Sequence, residues 1–190
     1  MSLLSQWNSI KSSMNSAISK SAAVKGGVDK VDESTENVDT SSEEYLKSLF
    51  ENQNQWRCTR WSTTSSSAPT FSTITNLFSA ATMLKAHDTS QNWAWADSYI
   101  GMRECYVYCT QDYALSTSFW TDDAGRIYLN ESSVATSTSC TSQSVTLNFK
   151  KGLNHVAIMW QEGSGGDAAY LNTNLANQSW VKWMYANYKM

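Results

Sequence analysis

The chain has 190 residues, a formal net charge of −3 and a pI near 5.3. That balance offers nothing to a polyphosphate backbone, which excludes nucleic acid as a partner. No apolar run nears the roughly 18 residues that a bilayer-spanning helix needs, which argues against membrane insertion.

Charged residues make up only 16%, against roughly 25% in ordinary domains. The surface must therefore be built largely from Ser, Thr, Asn and Gln. Nine Trp and nine Tyr accompany them. This mix suits an all-β extracellular or particle-surface module better than a cytosolic enzyme. Four cysteines occur, Cys58, Cys105, Cys109 and Cys140, and none forms a CxxC pair. A zinc site is poorly supported, and buried free thiols are the simplest reading. Cys105 and Cys109 fall in one strand, about 13 Å apart in extended geometry, too far to bond each other.

In chain order, the first element is a seam of Leu3, Trp7, Ile10, Met14 and Ala17. Its steps of 4, 3, 4 and 3 are those of a heptad. The segment is either an amphipathic helix docked on a neighbour or a short oligomerising stalk. It lacks the continuous apolar stretch of a secretory signal. Residues 25–40, "KGGVDKVDESTENVDT", read as an acidic linker. Thr40 to Glu43 fits a capping box, and Tyr45, Leu46, Leu49 and Phe50 form a stripe, which predicts a helix over about 42–54. "FSTITNLFSA" fits a strand or a short helix equally well. From there "ECYVYCT", "ALSTSFWT", "GRIYLN", "SVTLNFK" and "NHVAIMW" alternate with a period near two. Turn signals separate them, as in an antiparallel β-sandwich.

The run "YVYCTQDYALSTSFWTDDAGRIYLNESSV" and the later "VTLNFKKGLNHVAIMWQEGSGGDAAYL" resemble two successive sections of PA14-type β-sandwich domains. The resemblance covers about residues 95–183. Ala124 departs from the Gly that often follows the aspartates, and "NESS" replaces the usual Asn/Asp-Gly turn. The N-terminal stretch is similar to the opening of tailed-bacteriophage fibre and tail proteins.

In sugar-binding PA14 domains, adjacent aspartates joined by a cis peptide hold calcium, and the ion holds sugar hydroxyls. The resemblance maps that pair onto Asp122 and Asp123. Asp167, in the "GSGGDAAY" loop, is added as a third ligand on the expectation that the two loops meet. The alternative is turn chemistry, with one carboxylate accepting backbone N–H groups. Trp180 and Trp183 are candidates for a carbohydrate platform, with packing as the alternative. His155 is expected to face outward or lie at a sheet rim. Glu104 and Asp112 are a weak candidate glycosidase pair. No nucleophile elbow, Walker loop or HExxH motif occurs.

The expected architecture is mainly β: a helical anchoring and oligomerisation segment over 1–55, then a PA14-like sandwich over 56–190. The expected function is a non-enzymatic structural component of a bacteriophage particle, in a tail fibre, baseplate or other appendage. Its partners would be other virion proteins and copies of itself, a trimer foremost, and its location the virion. The alternative is a calcium-dependent carbohydrate-binding module for host-surface glycan.

Overall fold

A computed structural model describes residues 43–61, 67–71, 84–88, 98–138, 140–164 and 168–188. The chain divides into two units, residues 1–50 and residues 51–188. In the first, the described element is the helix α1 (Glu43–Ser48). The heptad seam and the acidic linker lie outside the described residues.

The helix predicted over 42–54 stops at Ser48, and β1 (Phe50–Gln53) follows. Asn52 and Asn54 take left-handed φ values of 62° and 57°, which no α-helix accommodates. The backbone here finds partners across a sheet instead: Asn54 N–H donates to Met184 O at 2.9 Å. Non-local pairing has overridden the helical stripe.

Ten further strands follow in the second unit: β2 (Trp56–Trp61), β3 (Leu84–Asp88), β4 (Tyr99–Cys109), β5 (Tyr113–Thr121), β6 (Gly125–Leu129), β7 (Ser132–Ser137), β8 (Gln143–Phe149), β9 (Gly152–Glu162), β10 (Ala169–Leu171) and β11 (Val181–Tyr188). They form two antiparallel sheets. The larger runs β1-β11-β4-β9-β6-β7, with β2 and β3 also attached through β4. The smaller runs β10-β5-β8.

The long strands β4 and β9 form the spine of the large sheet, paired from Tyr99↔Glu162 to Cys109↔Gly152. The other edge of β4 is shared: β2 takes Ile100 to Glu104, and β11 takes Tyr106 to Cys109. The inner face of the large sheet presents Cys105, Val107, Ile127, Val156, Ile158 and Trp160. They meet Leu115, Phe119, Val145, Leu147, Phe149 and Leu171 of the small sheet in one apolar cluster. Each large side chain buried this way contributes about 1.5–3 kcal/mol.

The β6–β7 hairpin explains "NESS". Asn130 and Glu131 both have positive φ, 51° and 67°. Two left-handed residues in a two-residue loop are the signature of the type I′ turn that suits twisted strands. Asn is at home there, while Glu is not.

All four cysteines are free; Cys58, Cys105 and Cys109 are buried, and Cys140 is exposed. Burial in the sheet pushes the Cys105 thiol up and the Cys109 thiol up to about 12.

Candidate functional site

The sheets join at the aspartate pair. β5 ends in the small sheet at Thr121, and β6 begins in the large sheet at Gly125. Asp122–Ala124 is the corner between them. Asp122 N–H donates to Ala168 O at 2.8 Å, which extends the β5–β10 ladder. Asp123 Oδ2 accepts from Gly163 N–H at 2.6 Å, just beyond β9 of the large sheet. Ala124 O accepts from Gln161 N–H at 2.8 Å. One aspartate thus faces each sheet.

Asp122 Oδ1 accepts from the N–H of the next residue, Asp123, at 3.0 Å, which holds the carboxylate against the corner backbone. It also accepts from Cys140 Sγ at 2.7 Å, and Asp123 N–H lies 3.3 Å from the same sulfur. The hydrogen bond to Asp122 holds the proton on Cys140 and raises its pKa. Asp123 sits at φ 51°, and the peptide between the aspartates is trans. The cis bond implied by the family resemblance is absent. An αL residue reverses the chain here instead.

One ligand atom each from Asp122, Asp123 and Cys140 can be drawn from a cluster spanning 4.8 Å. The donor set does not fit calcium, which takes 6 to 8 oxygens at roughly 2.3–2.6 Å. A thiol is a poor partner for a hard cation. One oxygen of each carboxylate already serves the turn. Asp167 lies outside the described residues.

Trp180 and Trp183 are 4% and 3% exposed. The Trp180 ring lies between Tyr113 and Phe149, and Trp183 stacks on Tyr108. Neither offers a ring face to a ligand. They pack the sandwich end and the outer side of the large sheet.

His155 corrects the expectation of an outward or rim position. It is buried, its Nε2 lies 2.8 Å from Glu104 Oε2, and its ring stacks on Tyr106 at 4.9 Å. Arg57 Nε lies 3.4 Å from the other Glu104 oxygen. The outer side of β4 and β9 is therefore covered, not wet. Glu104 and Asp112 do not form a catalytic pair. Glu104 is buried mid-strand, while Asp112 is an exposed turn residue bound to Lys150 Nζ and Lys151 N–H, both at 2.8 Å.

An open aromatic surface lies elsewhere. Trp120 and Tyr170 are direct partners across β5 and β10, and their rings stack at 5.6 Å and 17°. Both are partly exposed on the outer face of the small sheet. Ser116, Ser118, Ser144 and Thr146 share that face, and Asn172 Nδ2 donates to Ser118 Oγ at 2.5 Å. A shallow groove follows Ser116, Ser144 and Thr146. These strand positions carry no charge. The sequence held one clue to the pair: Trp120 sits out of step with the apolar positions Leu115 and Phe119. Its partner, 50 positions on, could not be read from spacing.

No protein-family model matches the chain, and no curated protein sequence matches it. Among solved structures, it is similar to a β-glucosidase from Kluyveromyces marxianus in complex with glucose (TM-score 0.44, 14% identity, 61% of this chain and 15% of that one). It is also similar to a PA14 sugar-binding domain from an RTX adhesin (TM-score 0.41, 12% identity, 64% of this chain and 88% of that one). A GH31 α-xylosidase from Xanthomonas citri matches at TM-score 0.40 and 8% identity over 70% of this chain and 15% of its own. The chain spans about a sixth of the glucosidase it matches. These likenesses are loose and concern strand arrangement at most.

Proposed function

We propose that the chain is a carbohydrate-binding module that holds glycan on the outer face of its three-stranded sheet. The observation that carries this is the partly exposed Trp120–Tyr170 stack within an uncharged field of hydroxyls and amides. A sugar ring has an apolar face and a rim of hydroxyls. Stacked aromatic rings meet the first. Serine, threonine and asparagine, which both donate and accept, meet the second. The Asp122–Asp123 run, with its resemblance to sugar-binding PA14 domains, supports the same ligand class. In this reading the aspartates brace the corner beside the platform rather than hold the sugar through calcium. The phage-particle reading, with its trimer and virion location, rests on the N-terminal segment, whose first 42 residues lie outside the described ones.

The test is electrophoresis through gels loaded with soluble polysaccharides, run in calcium and in EDTA. Retardation by at least one polymer is expected, equal in both buffers and lost in Trp120→Ser and Tyr170→Ser. Retardation that survives both substitutions would rule the platform out. Retardation lost in EDTA would return the aspartates to a calcium role.

A further inference from the structure

The register of the small sheet gives the platform a length and a direction. β5 and β8 pair without a break from Tyr113↔Phe149 to Phe119↔Gln143. Ser116, Ser118 and Trp120 therefore stand in one row on the outer face, with Thr146 and Ser144 directly opposite the two serines. From Trp120 back to Ser116 the row runs about 14 Å at the rise of an antiparallel strand. The groove over Ser116, Ser144 and Thr146 has a volume of about 470 Å³, and its described lining comes from β5 and β8 with no loop residue. Trp120 and Tyr170 stack at 17°, so each covers one face of the other. The strand order β10-β5-β8 puts Tyr170 on one flank of Trp120, and the second face of Trp120 thus turns toward β8 and the groove. Ser118 Oγ is held by Asn172, while Ser116, Ser144 and Thr146 are exposed and keep their hydroxyls for a ligand. Beyond the Tyr113↔Phe149 end, Lys150 is paired with Asp112 at 2.8 Å, and just past Trp120 stand the carboxylates of Asp122 and Asp123.

We infer that this face takes an internal stretch of a neutral, extended polysaccharide, three or more sugar residues long, laid along β5 from Trp120 into the groove. The inference rests on the carbohydrate-binding reading and adds length, charge and shape to it. One sugar ring is no longer than two strand residues, about 7 Å, and so cannot touch both Trp120 and Ser116. A straight row of hydroxyls matches a chain kept straight by equatorial linkages, of the cellulose and mannan kind. A coiled chain of the starch kind would leave the row after a ring or two. The strand positions carry no charge. An anionic chain would give up its water for a face with no cation to replace it, and would meet the aspartates at the corner. A groove lined by strands alone admits the middle of a polymer as well as its end.

Electrophoresis of the full chain in gels loaded with hydroxyethylcellulose, galactomannan, carboxymethylcellulose or soluble starch tests charge and shape. At least one of the first two should retard the protein, and the last two should not. Carboxymethylcellulose retarding as strongly as the neutral polymers would overturn the charge preference, and starch doing so would overturn the extended shape. Calorimetry with cello- and manno-oligosaccharides of one to six residues tests length. The monosaccharide should not bind measurably. In the series whose polymer retards more, the tetramer should bind at least about tenfold more tightly than the dimer, since each added hydrogen bond is worth up to about tenfold. Ser116→Ala combined with Thr146→Val removes two exposed hydroxyls and should abolish that gain. Equal affinity for dimer and tetramer, or a gain that survives the double variant, would sink the extended site and spare the platform. Binding that survives Trp120→Ser would sink the platform itself, and silence from every polymer would sink both.

Discussion

The two sheets present opposite outer faces. The spine of the large sheet, β4 and β9, is buried on both sides: Ile100, Met102, Ala157 and Met159 are as hidden on its outside as Val107 and Ile158 are within. The small sheet buries one side and gives water the other, where Ser116, Ser144 and Thr146 stand beside Trp120 and Tyr170. The difference is written in the strands. "NHVAIMW" in β9 has few polar positions, as befits a strand covered on both faces. "QSVTLNF" in β8 alternates strictly, as befits a half-wet strand. The spine of the large sheet, covered on both faces, is built as scaffold, and the small sheet offers the proposed platform its open face.

The comparison breaks most visibly at Glu104. If the outer face of the large sheet is truly dry, Glu104→Ala strands His155 and Arg57 without their carboxylate and should cost about 3–5 kcal/mol. Chemical denaturation measures it. A loss under about 1 kcal/mol would mean that water reaches this face. Gly101→Ala comes next. A Cβ there would run into the Trp160 indole, which is fully buried. Overpacking of this kind costs about 1–3 kcal/mol. The same denaturation should show it, with no change in polysaccharide retardation.

Much of this was legible in the sequence. The class, the antiparallel strands and the location of the turns followed from alternation and punctuation. The error at 42–54 arose because a helical stripe and a capping box are local signals, whereas β1 is held by β11, more than 120 positions away. His155 was misplaced for a related reason. Period-two alternation says which side a residue takes, but not whether that side is covered. Cys140 could not be joined to Asp122 from spacing, because a whole hairpin intervenes. Trp180 and Trp183 turn out to be buried, which spacing could not show, since exposure depends on what packs above a strand and composition does not carry that.

On the open sheet, stability and binding should come apart. Trp120→Ser removes one cross-strand aromatic pair, worth about 0.2–1 kcal/mol. The melt should barely move while retardation disappears. A loss of several kcal/mol would place Trp120 in the core and take the platform with it.

The smallest effect lies at the corner where the sheets join, and it is one of rate. Native labelling with iodoacetamide should modify Cys140 while sparing Cys58, Cys105 and Cys109, which the core covers. The thiolate is the reacting form. Asp122 accepts the Cys140 proton at 2.7 Å and so raises the thiol's pKa. At pH 8 this keeps the thiolate fraction low and the reaction slow. Asp122→Asn removes the negative charge and the stronger acceptor, so the pKa should fall and labelling should quicken at the same pH. Raising the pH should narrow the gap between wild type and variant, since both then approach full ionisation. Calcium should leave the wild-type rate unchanged if the aspartates are turn residues. A rate that calcium alters and EDTA restores would make the corner a cation site after all, and would give the joint between the sheets a second task.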